Sequence, residues 1–265
     1  MQPMNLHELS AGHGVLTAVQ TGQGRDIVLL HSLLADRHAF DAVLPALAAK
    51  HRVTLINLPG FHGSEPVVTP LLDAYVARIE DGFQEFAIAK DAILIGNGFG
   101  GTLALAFALD HPERIAKLVV SDAAAAFPDE GKKAFAVMEQ KVAEGGLSAV
   151  AEIAAKRVYS PAYLAAHPDA IEERKRVLLG IDPLAFAHAC KILQEADLVP
   201  SLHRLHVPTL VVCGEFDQAT PPPLNKMVAE KIAGARYVEL RGCGHCPPLE
   251  QPDAFIAAIR EFVGL

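Results

Sequence analysis

No stretch of the 265 residues reaches the roughly 18 consecutive apolar side chains that a membrane-spanning helix requires. No run of Lys or Arg forms a basic patch, and the formal net charge is −8, which argues against a nucleic-acid partner. "EERKR" at 172–176 is mixed in sign and reads as a solvated helix face. The opening "MQPMNLHELSAG" carries neither a basic n-region nor an apolar h-region, so a cytoplasmic location is expected. The expected partner is a small-molecule substrate, with no nucleic acid and no membrane, and a homodimer is left open. Cysteine is scarce, and Cys190, Cys213, Cys243 and Cys246 fit a reducing compartment as free thiols. Two of them form "CGHC", a spacing used in redox chemistry and, when duplicated, for zinc. A redox thiol wants a helix N-terminus to lower its pKa. Pro247 and Pro248 prevent a helix from running through the motif, and no second C-x-x-C completes a site, so no metal is expected.

What is present is apolar and alternating. Apolar residues make up 51 % of the chain, enough for a sizeable core, and only 20 % of residues are charged. "DIVLLH", "RVTLINLPG", "DAILIG" and "IAKLVVSD" read as buried strands, separated by the helix-like "HAFDAVLPALAAK", "LLDAYVARIEDGFQEFA" and "GGTLALAFALDHP". This rhythm predicts a parallel sheet covered on both faces. From 127 to 205 every signal is helical, punctuated by Gly and Pro, before alternation resumes with "VPTLVVCGEFD", "ARYVEL" and the terminal "PDAFIAAIREFVG". The expected organisation is therefore an α/β core of residues 1–126 and 206–265, with a helical cap of 127–205 over the sheet's carboxyl edge. That edge is where open α/β folds bind ligands.

Residues 93–101, "ILIGNGFGG", admit two parses. Gly96, Gly98 and Gly101 satisfy G-x-G-x-x-G between a strand and a helix, with Asp122 about twenty residues on, as in a dinucleotide fingerprint. Shifted in frame, the same letters are a G-x-S-x-G nucleophile elbow with Gly98 in the serine's place. Only the second parse explains distant segments. The order nucleophile, acid, histidine is completed by Asp217 after the strand "LVVCG" and by His245 in a glycine-rich loop. A histidine acts as general base when a carboxylate fixes its tautomer, and Asp217 is the best candidate for that task. "LLHSLLADRHAF" follows a strand and offers the Leu33 N–H for an oxyanion hole, with the Phe99 N–H as the second donor. No cofactor is then required.

The whole chain resembles the α/β-hydrolases. The motifs are "LLHSLLADRHAFD", "LPGFHGS", "IGNGFGGTLAL", "LVVSD", "VPTLVVCGEFDQATPP" and "GCGHCPPLEQPDAF". The segments "RVYSPAYLAAHP" and "LLGIDPLAFAHACKILQEADL" are similar to the cap of 3-oxoadipate enol-lactonases, and "GN-x-FGG" resembles the meta-cleavage-product hydrolases. The resemblance implies an α/β-hydrolase fold with a mostly parallel, eight-stranded sheet and a helical cap. It also implies action on a small ester or an (enol-)lactone.

Two departures stand out. Gly98 replaces the family's serine, and "INLPGFHGS" has Asn57 where many members have aspartate, with an inserted-looking Phe61. Glycine suits the strained elbow backbone whether it is natural or an engineered inactivation. What remains is a His245–Asp217 dyad and an oxyanion hole. These could hydrolyse esters by activating water, run non-hydrolytic chemistry (a lyase, an isomerase or a cofactor-free oxygenase), or serve a ligand-binding pseudohydrolase. Ser32, Ser121 and Cys243 are candidate replacement nucleophiles, although none sits on the elbow. His31, Ser32 and Asp122 are candidates for binding substrate, and His38 for lining the pocket.

Overall fold

The computed structural model describes residues 5–11 and 14–265, with side chains from residue 14 onward. The opening "MQPMNLHELSAG" therefore lies partly outside the described residues. Eight strands form one sheet: β1 (Asn5–Ala11), β2 (Gly14–Thr21), β3 (Arg25–Leu30), β4 (His51–Ile56), β5 (Ala92–Asn97), β6 (Ile115–Ser121), β7 (Thr209–Gly214) and β8 (Arg236–Leu240). Their spatial order is β1-β2-β4-β3-β5-β6-β7-β8. Strands β1 and β2 pair with each other, and β2 with β4, in antiparallel fashion. Every other pairing is parallel.

The central strands are buried along their length because both faces are covered, which is why they read as unbroken apolar runs. Alternate side chains go to opposite layers. Ile27, Leu29, Ile93, Ile95, Leu210 and Val212 pack under α1 (Leu44–Ala48) and, at the far end of the chain, the Pro252–Val263 helix. Val28, Leu30, Leu94, Val120 and Val211 face the opposite layer, which holds α2 (Leu72–Glu85) and α3 (Phe99–Asp110). Helix α3 is buried from Phe99 to Ala108, so it has no polar stripe.

Between β6 and β7 the chain forms α4 (Asp129–Gly145), α5 (Ala151–Val158), α6 (Pro161–Ala166), α7 (Ala170–Leu179) and α8 (Pro183–Glu195). Local chemistry sets the breaks. Gly146 ends α4 at φ 67°. Ser160 caps α6 by accepting the Tyr163 N–H, and Asp182 caps α8 by accepting the Ala185 N–H. The two ends of this helical segment meet: Ala126 bridges Asp197, and the Leu198 N–H donates to the Ala125 carbonyl at 2.9 Å. Asp182 also donates its N–H to the Gly60 carbonyl at 3.1 Å, seating α8 on the loop after β4.

Three α-helices remain among the described residues, α9 (Pro222–Lys231), α10 (Pro247–Glu250) and α11 (Pro252–Val263). Helix α10 begins at Pro247, directly after Cys246. The Pro247-Pro248 pair thus starts a helix, as proline can where its missing N–H would be unsatisfied anyway. No single helix among the described residues is long and apolar enough to cross a membrane.

Candidate active site

The carboxyl ends of β3, β5, β7 and β8 deliver four short segments to one place. Strand β5 ends at Asn97, and Gly98 turns the chain into α3 with φ 56° and ψ −121°. A side chain is rarely held in that conformation, and glycine reaches it at little cost. The neighbouring glycines are packing devices. A Cβ on Gly96 would lie 2.3 Å from the Gly100 carbonyl oxygen, and one on Gly101 would lie 2.5 Å from the Ala123 Cβ. The glycine pattern thus reflects a sharp turn and a close helix–sheet contact.

His245 lies in the loop after β8. Its Nδ1 is 3.0 Å from Asp217 Oδ2 and 3.1 Å from Oδ1. The carboxylate fixes the proton on Nδ1 and leaves the Nε2 lone pair facing Ser32 Oγ at 3.2 Å. Asp217 is itself held by the N–H groups of Ala219 and Thr220 and by the Thr220 hydroxyl at 2.6 Å. Burial pushes this carboxyl up, but the neighbouring His245 and the Thr220 bonds outweigh it and hold Asp217 below the usual carboxylate range.

Ser32, Leu33, Gly98, Phe99, Thr220 and His245 line one narrow cavity, closed on the cap side by Phe127, Phe135 and Leu193. Its volume is about 30 Å³. Among the described residues, neither the Leu33 nor the Phe99 N–H has a protein hydrogen-bond partner. Two uncommitted N–H groups at a cavity wall are what an oxyanion needs.

Two other predicted substrate contacts fall elsewhere. His31 is fully buried beneath Ser32. Its Nδ1 faces the Ser32 carbonyl at 3.0 Å, Nε2 accepts the Leu58 N–H at 3.0 Å, and Phe61 packs edge-on at 4.5 Å. Burial lowers its pKa to about 4, so the ring is neutral at pH 7. The inserted-looking Phe61 is thus the lid over this ring. Asp122, at φ 49°, is also fully buried and stands behind Asp217 rather than on the cavity wall. It accepts from the Gly214 N–H at 2.7 Å and the Ser121 hydroxyl at 2.6 Å. Burial and the neighbouring Asp217 charge push the Asp122 carboxyl well above the usual carboxylate range.

Sequence reasoning passed over other groups. The Asn97 amide donates to the carbonyls of Ser121 and His245 at 3.2 and 3.1 Å, tying the turn to the histidine loop. Glu250 Oε2 accepts the N–H groups of Ser160 and Gly244 at 2.9 and 3.0 Å. The His245 N–H donates to the Val158 carbonyl at 2.9 Å, so the histidine loop is stitched to the end of α5. "EERKR" is not wholly solvated: Arg174 is buried, with its Nη1 3.9 Å from Asp36 Oδ1. His38 faces Asp41 on the surface rather than the cavity.

The "CGHC" thiols are buried. Burial pushes Cys243 far up and Cys246 up to about 12, and the Cys246 thiol donates to Asn97 Oδ1 at 3.2 Å. Two clusters among the described residues, Asp122–Cys213–Asp217 and Asp36–His38–His62, have ligand-like spacing. In the first, burial pushes both the Asp122 carboxyl and the Cys213 thiol upward, against the ionised forms that hold a cation. In the other, Asp36 faces the His62 ring at 2.8 Å and the Arg174 guanidinium at 3.9 Å.

Residues 27–258 match the sequence model of the alpha/beta hydrolase family. This chain is an α/β-hydrolase. It is 30 % identical over 250 residues to a pimeloyl-[acyl-carrier protein] methyl ester esterase of Neisseria meningitidis serogroup B, covering 90 % of this chain and 93 % of that one. A 3-oxoadipate enol-lactonase of Acinetobacter baylyi is 30 % identical over 168 residues, 63 % of this chain and 62 % of that one. Among solved structures, the enol-lactonase of Burkholderia xenovorans superposes with a TM-score of 0.90 at 26 % identity, covering 98 % of this chain and all of that one (100 %). These relatives of the α/β-hydrolase described here act on carboxylic esters and lactones by name, and the His245–Asp217 pair is in place.

Proposed function

We propose that this α/β-hydrolase cleaves small carboxylic esters or lactones, with His245 as general base and Asp217 as the group that orients it. The carrying observation is the hydrogen-bonded line from Asp217 through His245 to the cavity, with Nε2 left as an acceptor toward the space a carbonyl would enter. Leu33 and Phe99 supply the two N–H groups for the oxyanion. Gly98 holds the elbow where the family's serine stands and contributes backbone geometry rather than a hydroxyl. The names of the relatives, a methyl ester esterase and an enol-lactonase, favour ester and lactone carbonyls over other acyl groups.

Hydrolysis of p-nitrophenyl acetate, methyl esters and enol-lactones tests this directly. Wild type should turn over at least one class, and His245→Ala should lower kcat/KM by about 10³-fold or more. Asp217→Asn should cost about 10²- to 10⁴-fold, because the amide favours the wrong tautomer. Wild-type turnover no faster than His245→Ala on all of these would refute the reading.

A further inference from the structure

The geometry points to Ser32 as the nucleophile of this enzyme, its hydroxyl standing in for the one that Gly98 lacks. The inference rests on the ester- or lactone-hydrolase reading above and adds the attacking atom to it.

Three observations converge on this residue. Ser32 Oγ is 3.2 Å from His245 Nε2, the ring nitrogen left as acceptor by Asp217. Ser32 also occupies the volume that belongs to an elbow side chain. A Cβ built on Gly98 would lie 2.3 Å from Ser32 Oγ, 2.7 Å from Ser32 Cβ and 2.9 Å from His245 Nε2. The hydroxyl thus fills the very space from which an elbow serine would project. The missing side chain at 98 is what admits it, since any Cβ there would collide with Ser32. Finally, the hydroxyl is held in place and has access to substrate. The Leu34 N–H points at Oγ from 3.4 Å, His31 Nδ1 anchors the Ser32 carbonyl, and Ser32 lines the cavity beside Leu33 and Phe99.

The other candidates lack this combination. The Ser121 hydroxyl is buried and donates to Asp122 Oδ2, away from the cavity. The Cys243 thiol is buried, is not a cavity wall, and holds its proton.

The chemistry balances without a co-reactant other than water. Ser32 Oγ attacks the substrate carbonyl carbon as its proton passes to His245 Nε2, and the carbonyl electron pair moves onto oxygen between the Leu33 and Phe99 N–H groups. Collapse breaks the acyl C–O bond, and the leaving alkoxide (the ring oxygen in a lactone) takes the proton from Nε2. Water then attacks the Ser32 ester with His245 again as base, releasing the acid and regenerating the hydroxyl.

Acid-quenched wild-type protein, caught during p-nitrophenyl acetate turnover and mapped by mass spectrometry, tests the proposal without any variant. The expected result is an acetyl group on the peptide containing Ser32, with a pre-steady-state burst close to one equivalent of p-nitrophenol. Phenylmethanesulfonyl fluoride should mark the same residue and abolish turnover. Ser32→Ala, checked for its fold by circular dichroism, should lose about 10³-fold or more in kcat. The Ser32→Gly/Gly98→Ser double variant, which moves the hydroxyl to the elbow, should recover turnover relative to Ser32→Gly. If wild type hydrolyses the ester in a His245-dependent way with no burst and no adduct on Ser32, and Ser32→Ala retains the rate, His245 activates water directly. The nucleophile assignment then falls while the hydrolase reading stands. An acetyl group on any other side chain also overturns it. If wild type shows no His245-dependent hydrolysis at all, the hydrolase reading itself has failed.

Discussion

A proton arriving at His31 would find no acceptor. Nε2 already receives the Leu58 N–H, so an imidazolium would set donor against donor in a fully buried site. Burial, which takes the charge out of water, lowers the pKa from an ordinary 6.5 to about 4. A depressed histidine favours the folded state above pH 6.5, and that contribution is lost as pH falls through 4. That difference corresponds to roughly 3 kcal/mol. Urea unfolding at pH 7 and pH 4.5 should therefore show a smaller acid loss for His31→Asn than for wild type. Equal losses would remove His31 as the cause.

At this scale the sequence was only partly legible. Asp217 and His245 were readable because each follows a strand end in a fixed order. The Ser32–His245 contact was not, because the two residues lie 213 positions apart and meet only through the sheet order. Asp122 had the spacing of a ribose ligand, yet burial at the end of β6 turned it toward Asp217.

Among the elements, the loop from β8 into α10 is held by the junction between α5 and α6. Glu250 receives one N–H from the histidine loop and one from the start of α6, and the His245 N–H goes to the last residue of α5, Val158. Removing the carboxyl group leaves two buried N–H groups unpaired, at about 1–3 kcal/mol each. Glu250→Ala should accordingly lower unfolding stability by about 2 kcal/mol or more and speed amide exchange at Gly244 and Ser160. Unchanged exchange at both amides would show that the loop is held by other contacts.

The buried strands and the breakpoints of the cap helices were legible, through continuous apolar runs and through Gly and Pro. The antiparallel β1–β2 pair at the sheet edge was not, because "GVLTAVQT" mixes apolar and polar residues without the continuous apolar run of the central strands. Arg174 was equally hidden: a charged run looks uniformly solvated until packing selects one of its members.

Over the whole molecule, the specificity of the proposed hydrolase would be set by the helical segment whose side chains line the cavity. Phe127 together with Phe135 of α4 and Leu193 of α8 bounds a cavity of only about 30 Å³, which suits an acyl group of few carbons. Acetyl esters should outrun hexanoyl esters in kcat/KM, and Phe135→Ala should narrow that gap by admitting the longer chain. A preference for hexanoate in wild type would mean that the aromatic wall yields readily. The segment that builds this wall has ends lying side by side, joined through Ala125, Ala126, Asp197 and Leu198. Such a stem behaves like the neck of a removable module. Lengthening, shortening or replacing what hangs from it changes loop-closure entropy only slowly and leaves the strand order untouched. Selectivity and scaffold can therefore diverge independently over generations, one exchanged as a unit while the other is inherited intact.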